Sequence, residues 1–191
     1  MVIDHLLTYY GVPQVAYLYC DYRDKTNQSL LNILGSILKQ LLTATTKTPD
    51  AVANVLESLR KEGRRVGVSD VLQMLKITIQ HLIMNATGPF LCIDALDELE
   101  SRVRLELLKA IQSEFGSMRI FLTGRPHIAS DVSRMLQLRQ EEAIQIIPNP
   151  IDVRAYLSHE IDLDWEMNPD DMNERLKEEI VDAIVTKAQG M

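Results

Sequence analysis

The residues Pro89-Phe90-Leu91-Cys92-Ile93-Asp94-Ala95-Leu96-Asp97-Glu98 constrain this chain more than any others. An unbroken apolar run ends at an acid, and two more acids follow within one turn. A run without polar alternation suits a strand buried on both faces, as in a parallel sheet covered by helices. Such sheets bind ligands beyond the carboxyl ends of their strands, which is where Asp94, Asp97 and Glu98 fall. Three carboxylates there suit a hydrated Mg²⁺ and an activated water, the equipment of nucleotide hydrolysis. The phosphate loop G-x-x-x-x-G-K-[ST] that accompanies such equipment does not occur in the 191 residues.

The rest of the chain repeats one arrangement. Val2, Ile3, Leu6 and Leu7 mark the tail of a helix over Val2 to Tyr10, and Gln14 to Cys20 reads as a strand. Leu30, Leu31, Leu34, Ile37, Leu38, Leu41 and Leu42 lie on one helical face. Thr48-Pro49-Asp50 opens a second helix, buried through Val52, Val55, Leu56 and Leu59. After the break at Gly63-Arg64-Arg65, Val71, Leu72, Leu75, Ile79, Leu82 and Ile83 mark a third. Beyond the acidic strand come a helix through Val103, Leu107, Leu108 and Ile111, then a strand from Met118 to Thr123 closed by Gly124-Arg125-Pro126. A helix through Ile128, Val132, Met135 and Leu136 precedes a short strand, Ala143 to Ile147. This alternation predicts an α/β fold with a parallel sheet and right-handed crossovers. From Pro148 the pattern is purely helical. Asn149 caps a helix through Val153, Tyr156 and Leu157, and a last helix runs through Leu176, Ile180, Val181, Ile184 and Val185. The predicted organisation is an α/β core over 1–149 and the start of a helical subdomain over 150–191. Neither terminus reads as a natural domain edge.

Composition narrows the function classes. At 46% hydrophobic and 25% charged, the chain can bury a sizeable core. A net charge of −7 argues against a general nucleic-acid binder, while leaving room for a local phosphate pocket. Cys20 and Cys92 sit inside apolar runs as small buried hydrophobes. With no secretory signal, they favour a reducing, cytoplasmic setting. No apolar stretch approaches membrane-spanning length, so no membrane partner is expected. His5, His81, His127 and His159 lack metal-ligand spacing.

Three places carry candidate chemistry. At the acidic strand the rival reading is a helix N-terminus, where Asp97, Glu98 and Glu100 would serve the dipole. Asp94 resists that reading, because an acid directly after an apolar run should be partly buried and need a partner or a metal. At Thr123-Gly124-Arg125-Pro126, Arg125 would extend over the same edge and meet a terminal phosphate with its planar fork. Its rival role is a turn arginine paired with one of those acids. In Asp21-Tyr22-Arg23-Asp24-Lys25, Arg23 or Lys25 would be the group to reach a ligand, and a solvated loop is the better reading.

In this order, VAYLYCDYRD, LLNILGSILKQLL, PFLCIDALDELE and RIFLTGRP resemble NACHT-type P-loop NTPases, and within them the fungal-type group also called nephrocystin-like. These are signal-transducing NTPases related to the NOD-like receptors. The resemblance covers essentially the whole chain, and its specific part is residues 89–100 with 119–126. It implies that Asp94 holds Mg²⁺ through water, that Asp97 and Glu98 position or activate the attacking water, and that Arg125 reads the terminal phosphate of ATP or GTP. Gly124 stands where many relatives have Ser. Ala95 stands where Gly is frequent, which a turn with ordinary dihedrals would tolerate.

In such proteins the phosphate loop and its strand precede the helix that VIDHLL resembles. That strand would lie between the strand ending at Thr123 and the one ending near Ile147. The expectation is therefore an incomplete module, by gene-model truncation or decay, without hydrolysis of its own. Three functions follow: the core of a nucleotide-driven signalling switch; a pseudo-NTPase that co-assembles with itself or with full-length relatives; and, least favoured, a Mg²⁺-dependent phosphoesterase. Relatives often carry ankyrin or WD-type repeats after this module.

Overall fold

The computed structural model describes residues 5, 6, 8, 15–43, 45, 47–85, 88–146, 149–167 and 173–188. Strands β1 (Val15–Tyr19), β2 (Phe90–Asp94) and β3 (Arg119–Leu122) form one parallel sheet in the order β1-β2-β3. Tyr17 lies beside Cys92, and Cys92 beside Phe121. Parallel strands need long connections. Helices α1 (Leu30–Thr43), α2 (Asp50–Lys61) and α3 (Val68–Asn85) connect β1 to β2, and α4 (Ser101–Glu114) connects β2 to β3. After β3 come α5 (Ala129–Leu136), α6 (Pro150–Met167) and α7 (Glu174–Ala188). The expected α/β fold with a parallel sheet is the observed one. The expected helix over Val2 to Tyr10 falls mainly outside the described residues, as does Gln14.

The leucine-rich stripe explains α1. Ile33, Leu34, Ile37, Leu38 and Leu41 are buried, and they pack with Met74, Leu75 and Ile79 of α3 in one core. Ala16, Leu91 and Ile93 bring one face of the sheet into that core, and Leu107, Leu108 and Ile111 of α4 complete it. Truncating a wholly buried member such as Leu34 to Ala should remove about 2–5 kcal/mol. β2 is buried on both faces, with Leu91, Cys92 and Ile93 at 0%, 2% and 0% exposure. Tyr17, Tyr19 and Phe121, on the face away from α1, are exposed.

Polar residues fix the helix starts. Asp70, in the first turn of α3, accepts the Gly67 N–H at 2.8 Å and a two-pronged bond from Arg64 at 2.9 Å on each side. Asn149 Oδ1 accepts the Ile151 N–H at 3.0 Å, so Asn149 caps α6 with Pro150 at its first position.

The strand expected over Ala143 to Ile147 is absent from its described part: residues 143–146 have no regular structure, Ile144 and Ile146 are 88% and 89% exposed, and Ile147 lies outside the described residues. Alternating apolar residues make a strand only beside a partner. Among the described residues, no further strand pairs with the outer edge of β3. The chain divides into two compact units, 1–142 and 143–191. In the second, Arg154–Asp182 and Lys177–Asp162 ion pairs join α6 and α7. No helix among the described residues is long and apolar enough to cross a membrane.

Candidate functional site

The carboxyl ends of β2 and β3 are joined by a clasp centred on Thr123. Its N–H donates to the Ile93 carbonyl and its carbonyl accepts the Leu96 N–H, each at 2.9 Å. Its hydroxyl accepts the Ala95 N–H at 2.9 Å and donates to Asp94 Oδ1 at 2.5 Å. One turn later, Asp97 Oδ1 accepts the Arg125 N–H at 3.1 Å, and Asp97 Oδ2 lies 3.5 Å from Arg125 Nε. The acidic turn and the Thr-Gly-Arg-Pro loop thus hold each other in place.

The burial expected of Asp94 belongs to a different acid. Asp94 is exposed, whereas the Asp97 side chain is only 6% exposed. β2 ends at the rim of the sheet, so its last side chain meets solvent and the Thr123 hydroxyl. The following turn folds Asp97 back beneath the β3 loop. A second correction concerns Ala95, whose φ of 54° and ψ of 46° are left-handed rather than ordinary. A residue with a Cβ pays roughly 1–2 kcal/mol for that conformation. The turn needs it to swing from the end of β2 into the short 3₁₀ segment Leu96–Glu98.

The four sequence-selected residues share one edge without converging on a point. Asp94 faces Thr123, Asp97 faces Arg125, and Glu98 Oε2 accepts the Tyr22 N–H at 3.2 Å. The Arg125 side chain is 74% exposed, so its terminal nitrogens extend into solvent while Nε stays beside Asp97. Glu98 lines a shallow cleft with Asp21, Lys25, Gln28, Glu100 and Val103. In the loop after β1, Arg23 makes a two-pronged pair with Asp21, which holds that carboxyl below the usual carboxylate range. Gln28 is the fastener of this loop, accepting the Asp21 N–H and donating to the Asp21 carbonyl. Gln28 does not stand out in the sequence, and Thr123 figures there only as the end of a strand and the first residue of the Thr-Gly-Arg-Pro turn.

The field at this edge is negative. Burial first, and then Asp94, Glu98 and Asp97, push the Cys20 thiol up to about 12. Cys20 is therefore a protonated, unreactive neighbour of the site. Among the described residues, no three His, Cys, Asp or Glu side chains are grouped to hold a metal. An exposed carboxylate with one oxygen bonded to Thr123 still fits Mg²⁺, which keeps several waters and takes one or two carboxylates. At Gly124, an added Cβ would come within 2.7 Å of Ile128 Cδ1, so a Ser there requires Ile128 to turn aside.

A family model described as Nephrocystin 3, N-terminal, matches residues 1–125. The chain belongs to the nephrocystin 3 N-terminal family. The match takes in the three described strands of this nephrocystin-type module, the acidic turn and the clasp, and its last residue is Arg125. No curated protein and no solved structure matches the chain.

Proposed function

We propose that this nephrocystin-3-type chain is the acidic half of a NACHT-like NTPase core, a nucleotide-dependent signalling switch whose phosphate loop is not among these 191 residues. The observation that carries the reading is the clasp. It ties the acids at the end of β2 to an arginine at the end of β3 whose fork is exposed on the same edge. Mg²⁺, when bound, would neutralise phosphate charge and polarise the transferring group. Asp94 would hold it through water, with Thr123 fixing the carboxylate's direction. Glu98 would take the proton of the attacking water. Arg125 would meet the terminal phosphate of ATP or GTP with its terminal nitrogens. Asp97, with both oxygens turned to Arg125, would position the arginine instead of activating water. A phosphate loop supplies most of the grip on a nucleotide, so the chain by itself should not turn nucleotide over.

The test joins the chain to a preceding strand and G-x-x-x-x-G-K-[ST] loop and follows phosphate release. The joined protein should hydrolyse nucleotide, and Glu98→Gln should slow it about 10²-fold or more while sparing binding. A rate unchanged by Glu98→Gln, or turnover by the chain alone that Asp94→Asn abolishes, would contradict the assignment. A second reading, co-assembly with relatives as a pseudo-NTPase, draws support from β3, whose Ile120 and Phe121 are exposed on an edge without a described partner.

A further inference from the structure

The two edges of the sheet are treated differently. In a parallel strand, alternate residues turn their N–H and C=O to opposite sides. Cys20 donates to the Asp94 carbonyl, so the even-numbered residues of β1 bond toward β2. Val15, Tyr17 and Tyr19 therefore aim their backbone groups outward, where no described strand pairs with them. At Tyr17, α1 supplies a substitute. Gln40 Oε1 accepts the Tyr17 N–H and Gln40 Nε2 donates to the Tyr17 carbonyl, both at 2.9 Å. One carboxamide presents the donor and acceptor that a neighbouring peptide unit would present.

We infer that Gln40 is an edge guard, and that the pairing it blocks is with a second copy of this chain. Three observations select that occupant. The strand Val15-Ala16-Tyr17-Leu18-Tyr19 has no charge, Pro or Gly, so nothing in it opposes self-pairing. Its outward groups are centred on Tyr17, and a two-fold axis there would make Tyr17 and its mate a hydrogen-bonded pair exchanging both bonds. Finally, Tyr17 and Tyr19 form an edge-on ring pair at 5.8 Å and are 38% and 50% exposed, an apolar surface that the pairing would cover. The groups Gln40 occupies are those the central pair would use, so the two arrangements exclude each other. This inference stands apart from the nucleotide reading and involves none of its residues.

The test combines amide hydrogen exchange with sedimentation of the full chain. In the native protein, the Tyr17 amide should exchange about fivefold or more slowly than the outward Tyr19 amide, the worth of one surface hydrogen bond. Gln40→Ala should erase that difference in dilute solution and produce dimers that grow with concentration beyond any formed by the native chain. Adding Tyr17→Lys, which places like charges opposite each other across the axis, should return the protein to the native state of association. A native Tyr17 amide no slower than Tyr19 would overturn the inference without any variant having to fold. So would a Gln40→Ala protein that associates no more than the native chain, or association that survives Tyr17→Lys.

Discussion

Replacing Thr123 by Val removes the hydroxyl while keeping the side chain's shape, which isolates the clasp. The half-buried Ala95 N–H loses its acceptor, at a cost of about 1–2 kcal/mol. The bond to Asp94 is exposed and adds about 0.5–1 kcal/mol. The sum is about 2 kcal/mol, and the slightly better strand propensity of Val offsets little of it. Thr123→Ser keeps both bonds and gives up one half-buried methyl, about 0.5 kcal/mol. Urea unfolding separates the two: with a slope of about 2 kcal/mol per molar, the Val variant should unfold about 1 M earlier and the Ser variant about 0.25 M earlier. Asp94→Ala combined with Thr123→Val should show a coupling of at least about 0.5 kcal/mol, because the two side chains share one bond. A Val variant as stable as the Ser variant would refute the reasoning, since it would mean that the hydroxyl holds nothing.

Ala95 is held in a left-handed conformation, so Ala95→Val should destabilise the protein by more than about 1 kcal/mol, while Ala95→Gly should stay within about 1 kcal/mol of native in the same unfolding assay. The Cys20 thiol should resist alkylation at pH 8 in the folded protein and react once the chain is unfolded. Its folded-state value of about 12 lies above the ordinary 9.0, so its contribution is whole below pH 9. As pH climbs from about 9 to about 12, the unfolded chain gives up its proton first and stability falls. Cys20→Ala should flatten that alkaline slope in a pH series of unfolding curves.

What could be read from the sequence was whatever rests on long apolar patterns. The run Phe90 to Ile93 needed no partner to declare itself a buried strand, because it is apolar on both faces, and the α1 leucines repeat at helical spacing over their whole length. Residues 143–146 alternate just as well and form no strand, because pairing depends on a neighbour elsewhere in the chain. The site was legible in its residue types but not in its bonds. Thr123 reads as an ordinary strand residue, and its partner lies 29 residues away. The acids differ in burial because of a turn whose handedness no local propensity for Ala would suggest, which is why Asp97 and not Asp94 is the one enclosed. Gln40 is likewise an unremarkable polar residue on the side of a helix until β1 lies beside it.

The central claim is that Arg125, held by Asp97, reads a terminal phosphate. The most direct test measures the affinity of the loop-bearing protein for Mg²⁺-triphosphate and Mg²⁺-diphosphate nucleotides, with and without Arg125→Ala. The native protein should prefer the triphosphate by about tenfold or more, the worth of a charged hydrogen bond, and Arg125→Ala should erase the preference while leaving diphosphate affinity unchanged. A preference that persists in Arg125→Ala would contradict the claim.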